Sequence, residues 1–317
     1  MSENFKAHLS IIGANLIYGV NYSIAKGIMP DYIKPFGLTV CRGIGAILLF
    51  WLFSFFSKSE KIERRDMKII FVGALFGIAI NQLLFLKGLS YTSAIDSAII
   101  MTINPLVVIL FAAFMLKERI TWFKLTGIAV GGLGAIVLIL HSGSASFLSE
   151  NFIGNIMMVL NALSYGAYLV IIQPMMKKYR PITVMKWTFV FGFIFIFPIG
   201  FNEFIQIDWN AIPVSILFSV GFVVIGSTFL AYLLNVYGLK HVSPSVVSIY
   251  IYSQPAIASL VAYFTLNESL TFTKLISMAL IFTGVYMVSR RKEINTVDFI
   301  AVPKFVMCKI RSFIKKC

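Results

Sequence analysis

The sequence predicts an all-α membrane protein of ten transmembrane helices, arranged as two inverted five-helix repeats. Three observations lead there. The chain is 59% hydrophobic and 13% charged, with a mean hydropathy of +0.88, whereas a soluble domain carries about 25% charged residues. It has too few polar residues to cover a globule, so lipid must be its solvent. The second observation is an internal repeat: residues 81–140 and 231–290 align without a gap, with 17 identities over 60 positions. Gly88 matches Gly238, Ser93 matches Ser243, Pro105 matches Pro255, Glu118 matches Glu268 and Gly134 matches Gly284. Chance would align leucines but not this punctuation, so the period of 150 reads as a duplication. The third is the distribution of basic residues, which sets orientation.

Apolar runs near the ~20 residues a bilayer requires fall at 8–28, 36–57, 68–88, 93–116, 121–141, 152–173, 183–203, 211–238, 244–266 and 272–289. The first has no small-residue cleavage site and reads as a retained helix. Prolines and charged stretches separate the runs. With the N-terminus inside, cytoplasmic segments hold 22 lysines and arginines and outer loops hold 4. This bias places both termini in the cytoplasm and the chain in the cytoplasmic membrane. The net charge of +14 is therefore a topology signal, and no nucleic acid is expected as a partner. Five spans per repeat make the second copy enter from the opposite side. Inverted repeats of this kind carry substrate near the midplane and work by alternating access.

The predicted divisions are a first repeat (1–145), a second, inverted repeat (146–290) and a basic cytoplasmic tail (291–317). The first two helices of each repeat correspond at an offset of 147, which pairs Tyr18 with Tyr165. In the tail, Val306, Ile310 and Phe313 keep helical spacing while Lys304, Arg311 and Lys315 share another face. That pattern suits either an amphipathic helix on the anionic inner leaflet or a disordered basic tail.

The ordered short motifs resemble those of EamA-like transporters in the drug/metabolite transporter superfamily. They are Tyr18-Gly19-Val20-Asn21, Arg42 early in helix 2, residues 87–94 (KGLSYTSA), Asn104-Pro105 and residues 117–121 (KERIT), followed by a glycine-rich helix. The second half repeats Gly238-Leu239, Ser243-Pro244, Gln254-Pro255 and residues 267–271 (NESLT). The first-helix aromatic, commonly Trp in such proteins, is Tyr18 here. The resemblance covers about residues 8–290 and implies movement of small metabolites, often amino acids or related compounds.

Asn104-Pro105 and Gln254-Pro255 put an amide beside a kink at matched depth in opposite repeats. Each proline removes a backbone donor, leaving the carbonyls of Met101 and Ile251 without their usual partners. In lipid, such groups are tolerated only inside protein or beside water, so the kinks either line a substrate path or pack against neighbours. Tyr250 shares a face with Gln254, and Gln82 aligns with Tyr232, near Asn235. Asn161, Tyr165 and Tyr168 share one face of helix 6, as Tyr18 and Asn21 do on helix 1. These residues are candidates for a neutral aromatic–amide cavity, or for interhelical hydrogen bonds. Arg42 is placed either to snorkel outward or to meet a substrate carboxylate. Lys186 reads as an interface anchor. Glu118 and Thr121, with Glu268 and Thr271, read as structural caps of helices 5 and 10. Gly127 and Gly131 form a close-packing surface, expected to act within the chain, and monomer or homodimer stays open.

The expected partners are a small-molecule substrate and the lipid bilayer; no cofactor or metal is expected. His8, His141 and His241 lie at helix ends, and no H-E-x-x-H or phosphate-cradling G-x-x-x-x-G-K-[ST] occurs. This disfavours an intramembrane enzyme or a primary pump. Only Asp96, of 13 acidic residues, falls clearly at membrane depth. Facilitated diffusion or exchange, most simply in the direction of export, is therefore expected. Asp96 is the proton site if transport is proton-coupled.

Overall fold

A computed structural model of the chain describes residues 3–57, 60–116, 122–141 and 149–289. Glu118, Thr121 and the tail from 291 lie outside the described residues. All regular structure among the described residues is helical.

The chain runs through α1 (Glu3–Ile28) and α2 (Pro35–Phe55), then α3 (Arg64–Tyr91), which is π-helical over Leu75–Ile80. α4 (94–116) breaks at a turn over 102–103, and α5 is Trp122–His141. α6 (Glu150–Lys178) and α7 (Pro181–Ile205) follow. α8 (Val214–His241) is π-helical over Phe222–Leu230, and α9 (Pro244–Leu266) is 3-10 over Tyr250–Ser253. α10 is Phe272–Ser289. Seven of these helices (α2, α3, α4 and α6 to α9) are long and apolar enough to cross a bilayer. α5 and α10 carry shorter apolar stretches, Thr126–Leu138 and Phe272–Gly284. α1 coincides with the first predicted span but is diluted by buried Asn15 and Asn21.

The outer surface has the character lipid demands. Phe218 is 77% exposed, Phe264 74% and Leu48 65%, an apolar exposure that water would penalise by about 25 cal/mol per Å². Polar residues turn inward instead: Asn104, Asn155 and Thr188 are fully buried.

Packing is reciprocal. α2 packs on α7 and α5 on α10, while α1 packs on α8 and α9 and α6 on α3 and α4. The first helix of each half thus lies against the third and fourth helices of the other half. Interruptions recur as well. The two π segments lie in corresponding stretches, and the α4 turn and the α9 3-10 segment are 150 residues apart. Ser93 and Ser243 both cap the following helix, accepting from the N–H groups of Asp96 and Val246.

Glycines set the closest approaches. A Cβ on Gly284 would lie 2.5 Å from the Gly127 carbonyl and the Gly131 nitrogen, so the α5 glycine stripe packs within the chain. The proline break in α9 is relieved locally. Ile251 O accepts from the N–H of Gln254, so its carbonyl is not left open as the sequence suggested. In α4, the N–H groups of Thr102 and Ile103 bond to Ile99 O and Ile100 O, each three residues back.

Candidate functional site

A small cavity of about 60 Å³ lies between the two halves. α1 supplies Asn15, Tyr18, Asn21 and Tyr22; α2 supplies Arg42; α3 supplies Asn81 and Phe85. α6 contributes Asn161 and Tyr165, α8 contributes Tyr232 and Asn235, and Met101, Val247, Ile251 and Gln254 complete the wall. Among the described lining residues, Arg42 is the one side chain with a full charge.

Eight of the residues singled out in the sequence meet here: Tyr18, Asn21, Arg42, Asn161, Tyr165, Tyr232, Asn235 and Gln254. Four lie outside the lining. Gln82 is buried beside the cavity, and both its amide atoms lack partners. Asn104 donates to Ala162 O at 3.0 Å and so ties α4 to α6. Tyr168 is fully buried against Gly77, where a Cβ would fall 2.2 Å from its ring. Tyr250 is drawn away from the Gln254 face because the backbone tightens to 3-10 between them, and its hydroxyl meets His8 Nδ1 at 2.7 Å. Pro105 and Pro255 stand behind the amides at the helix breaks and do not line the space.

The π segments shape the wall. A π turn leaves carbonyls that a regular ladder would consume, and side chains of facing helices take them up. Ser164 Oγ donates to Phe76 O at 2.5 Å within the π segment of α3, and Asn161 Nδ2 donates to Asn81 O, just beyond that segment, at 2.6 Å. Gln254 is held at both ends, since its Nε2 donates to Asn15 Oδ1 at 2.7 Å and its Oε1 accepts from Tyr22 at 2.9 Å. Asn235 Nδ2 donates to the Tyr165 hydroxyl.

Several lining atoms remain open. The Tyr18 hydroxyl, Asn21 Oδ1, Asn161 Oδ1 and Arg42 Nη1 are buried without a hydrogen-bond partner. Arg42 is 3% exposed, so it does not snorkel. Its Nε donates to Thr228 Oγ1 at 2.8 Å, and its guanidinium stands 5.9 Å from the Phe85 ring centroid. No carboxylate pairs with it among the described residues. Buried polar groups are normally satisfied. The residues lining the cavity thus carry an unpaired guanidinium nitrogen and two unpaired amide oxygens.

At the predicted outer end, the caps connect differently from the sequence expectation. The Glu268 carboxylate accepts from Ala94 and Ile95 N–H at 2.9 and 3.1 Å. It therefore caps α4 of the opposite half rather than α10. Thr271 Oγ1 accepts from Lys274 N–H at 3.4 Å, at the start of α10. Asp96 is ion-paired with Lys274 at 3.1 Å, away from the cavity. Lys26 Nζ donates to the carbonyls of Leu89, Ser90 and Thr92. Lys186 donates to Ser54 Oγ at 2.9 Å beside the Trp51 ring. Among the described residues, no group of three or more His, Cys, Asp or Glu side chains is placed to hold a metal.

The chain has relatives over most of its length. An uncharacterized transporter of Archaeoglobus fulgidus is 24% identical over 261 residues, spanning 82% of this chain and 91% of that protein. The uncharacterized transporter YyaM of Bacillus subtilis is 22% identical over 292 residues, or 90% and 94% of the two chains. A probable terminal-alkyne amino-acid exporter of Streptantibioticus cattleyicolor is 24% identical over 227 residues, or 72% and 74%. One crystal structure matches 88% of this chain and 97% of its own, with a TM-score of 0.61 at 18% identity, a likeness of fold. The model of the EamA-like transporter family matches residues 5–140 and again 152–290, and the chain therefore belongs to the EamA-like transporter family, a multi-pass membrane protein of the transporter class.

Proposed function

We propose that the protein is a secondary transporter of an amino acid or closely related zwitterion, working by alternating access as an exporter through uniport or exchange. The observation that carries this reading is that Arg42, Asn21 and Asn161 line one cavity and that Arg42 Nη1 and the amide oxygens of Asn21 and Asn161 are buried without partners. A guanidinium in a low-dielectric site binds a carboxylate strongly, and carbonyl oxygens accept from an ammonium group. The aromatic rings of Tyr18, Phe85, Tyr165 and Tyr232 offer apolar surface to a side chain. The Streptantibioticus relative, a probable terminal-alkyne amino-acid exporter, agrees in substrate class.

The proposed architecture has ten spans in two inverted repeats, 1–145 and 146–290, with both termini in the cytoplasm. The matched interruptions, the reciprocal packing and the double match of the family model support the duplication. The basic-residue bias supports the inversion. The Asp96–Lys274 pair outside the cavity favours a carrier without proton coupling. The direct test is counterflow in proteoliposomes with a panel of radiolabelled L-amino acids. A carrier of this class shows trans-stimulation by at least one of them. Trans-stimulation by none would end the amino-acid assignment.

A further inference from the structure

We infer that Thr228 is the positioning residue that aims Arg42 into the cavity. The inference rests on the reading of Arg42 as the substrate carboxylate receptor.

The geometry around Thr228 is closed. Its hydroxyl donates its single proton to Val223 O at 2.7 Å, so the oxygen presents only lone pairs to α2. It then accepts from Arg42 Nε at 2.8 Å, which fixes by one edge the guanidinium of a residue lining the cavity and leaves Nη1 without a partner. The bond to Val223 spans five residues because α8 is π-helical here. In a regular α-helix the threonine hydroxyl back-bonds to the carbonyl three or four residues earlier. Ser227 Oγ donates to the same carbonyl at 2.9 Å, so Val223 O anchors both hydroxyls. α2 reaches this wall at Gly45, three residues beyond Arg42, where a Cβ would fall 2.2 Å from Val224 Cγ1.

The duplicated scaffold supplies an internal control. At the offset of 147, Arg42 corresponds to Phe189; at 150, Thr228 corresponds to Ile78. Both counterparts are fully buried and apolar. The scaffold therefore packs these helices without a polar pair, and the pair is present only beside the open guanidinium nitrogen. Arg42 belongs to the first half and Thr228 to the second, so the receptor is assembled across the interface between them.

The experiment uses the full chain in proteoliposomes. The probe is whichever proteinogenic L-amino acid gives the greatest counterflow, compared with its α-carboxamide. Arg42→Gln should abolish the preference for the acid over the amide. Thr228→Val should raise KM for the acid about tenfold, leave the amide nearly unchanged, and keep normal membrane abundance. Thr228→Ser should restore wild-type KM. Thr228→Ala replaces the valine variant if valine does not fold. Loss of preference in Arg42→Gln with unchanged KM in Thr228→Val and Thr228→Ala would overturn the positioning role alone. The same holds if acid and amide weaken equally in the Thr228 variants. A harmless Arg42→Gln, no acid preference in the wild type, or counterflow with none of the amino acids would overturn the carboxylate reading, and the role of Thr228 with it.

Discussion

Replacing Arg42 with methionine should make the empty protein more stable while removing its transport. The guanidinium is buried, bonded only at Nε and without a carboxylate partner among the described residues. An uncompensated buried ion costs several kcal/mol even after relaxation. The Thr228 bond offsets about 1.5–3 kcal/mol of this, and the Phe85 ring at 5.9 Å about 0.5–2 kcal/mol. Methionine keeps much of the volume and carries no charge. We therefore expect Arg42→Met to raise stability by about 1–3 kcal/mol, the usual exchange of function for stability at a binding site. Cys41 is buried beside it, so a thiol-reactive dye reports unfolding once Cys308 and Cys317 are serine. The melting midpoint should rise in detergent while amino-acid counterflow falls to background. A midpoint that drops, and recovers with Arg42→Lys, would show Arg42 to be a structural anchor and refute the reasoning.

Five further outcomes follow. A cysteine at Asn210 should react with an impermeant reagent from outside intact cells and one at Glu60 only after permeabilisation; the reverse pattern would remove the basis for the inversion. Gln254→Ala should lower transport at least tenfold by releasing Asn15 and Tyr22 at the cavity wall. Asn104→Ala, which breaks only the tie to Ala162 O, should instead lower stability by about 1 kcal/mol, as read from thermal melts. Glu268→Ala should remove the cap of α4 at about 1–2 kcal/mol and raise the reactivity of a cysteine at Ser93, whereas Glu268→Gln should keep part of the closure. An imposed pH gradient without a substrate gradient should drive no accumulation in wild-type proteoliposomes; uphill uptake that collapses with a protonophore and is lost in Asp96→Asn would establish coupling through Asp96.

The repeat was legible in the sequence because its punctuation is backbone chemistry. Pro105 and Pro255 fix where the ladder breaks, and Ser93 and Ser243 fix where the next helix starts, whatever surrounds them. The face of α1 was legible in part. Asn15, Tyr18 and Tyr22 lie at i, i+3 and i+7, and continuing the Tyr18–Asn21 face by one turn each way would have found both missed residues. The π segments were not legible, because no residue type marks them, yet they decide what Tyr168 and Thr228 face. Tyr168 follows the spacing of Asn161 and Tyr165 but packs on Gly77, inside the Leu75–Ile80 segment. The target of Glu268 was hidden for a different reason. Capping rules describe the helix next in sequence, and here the helix end that receives the carboxylate is Ala94, 174 residues away.

The single charge in the cavity has a consequence for how such a carrier cycles. On the proposed assignment, closing the empty protein seals the Arg42 guanidinium into a medium of low dielectric with Nη1 unpaired. The cost of that step is largest in the occluded state, when no water remains to solvate the cation. A bound carboxylate cancels it, and the ammonium of the same solute finds Asn21 and Asn161 rather than a second charge. The loaded carrier therefore crosses the occluded state more easily than the empty one. A duplicated scaffold would otherwise give both halves the same wall. Here Phe189 occupies the position of Arg42, so only one half carries the charge that couples occlusion to occupancy. Exchange should then run faster than net flux, which is what trans-stimulation measures.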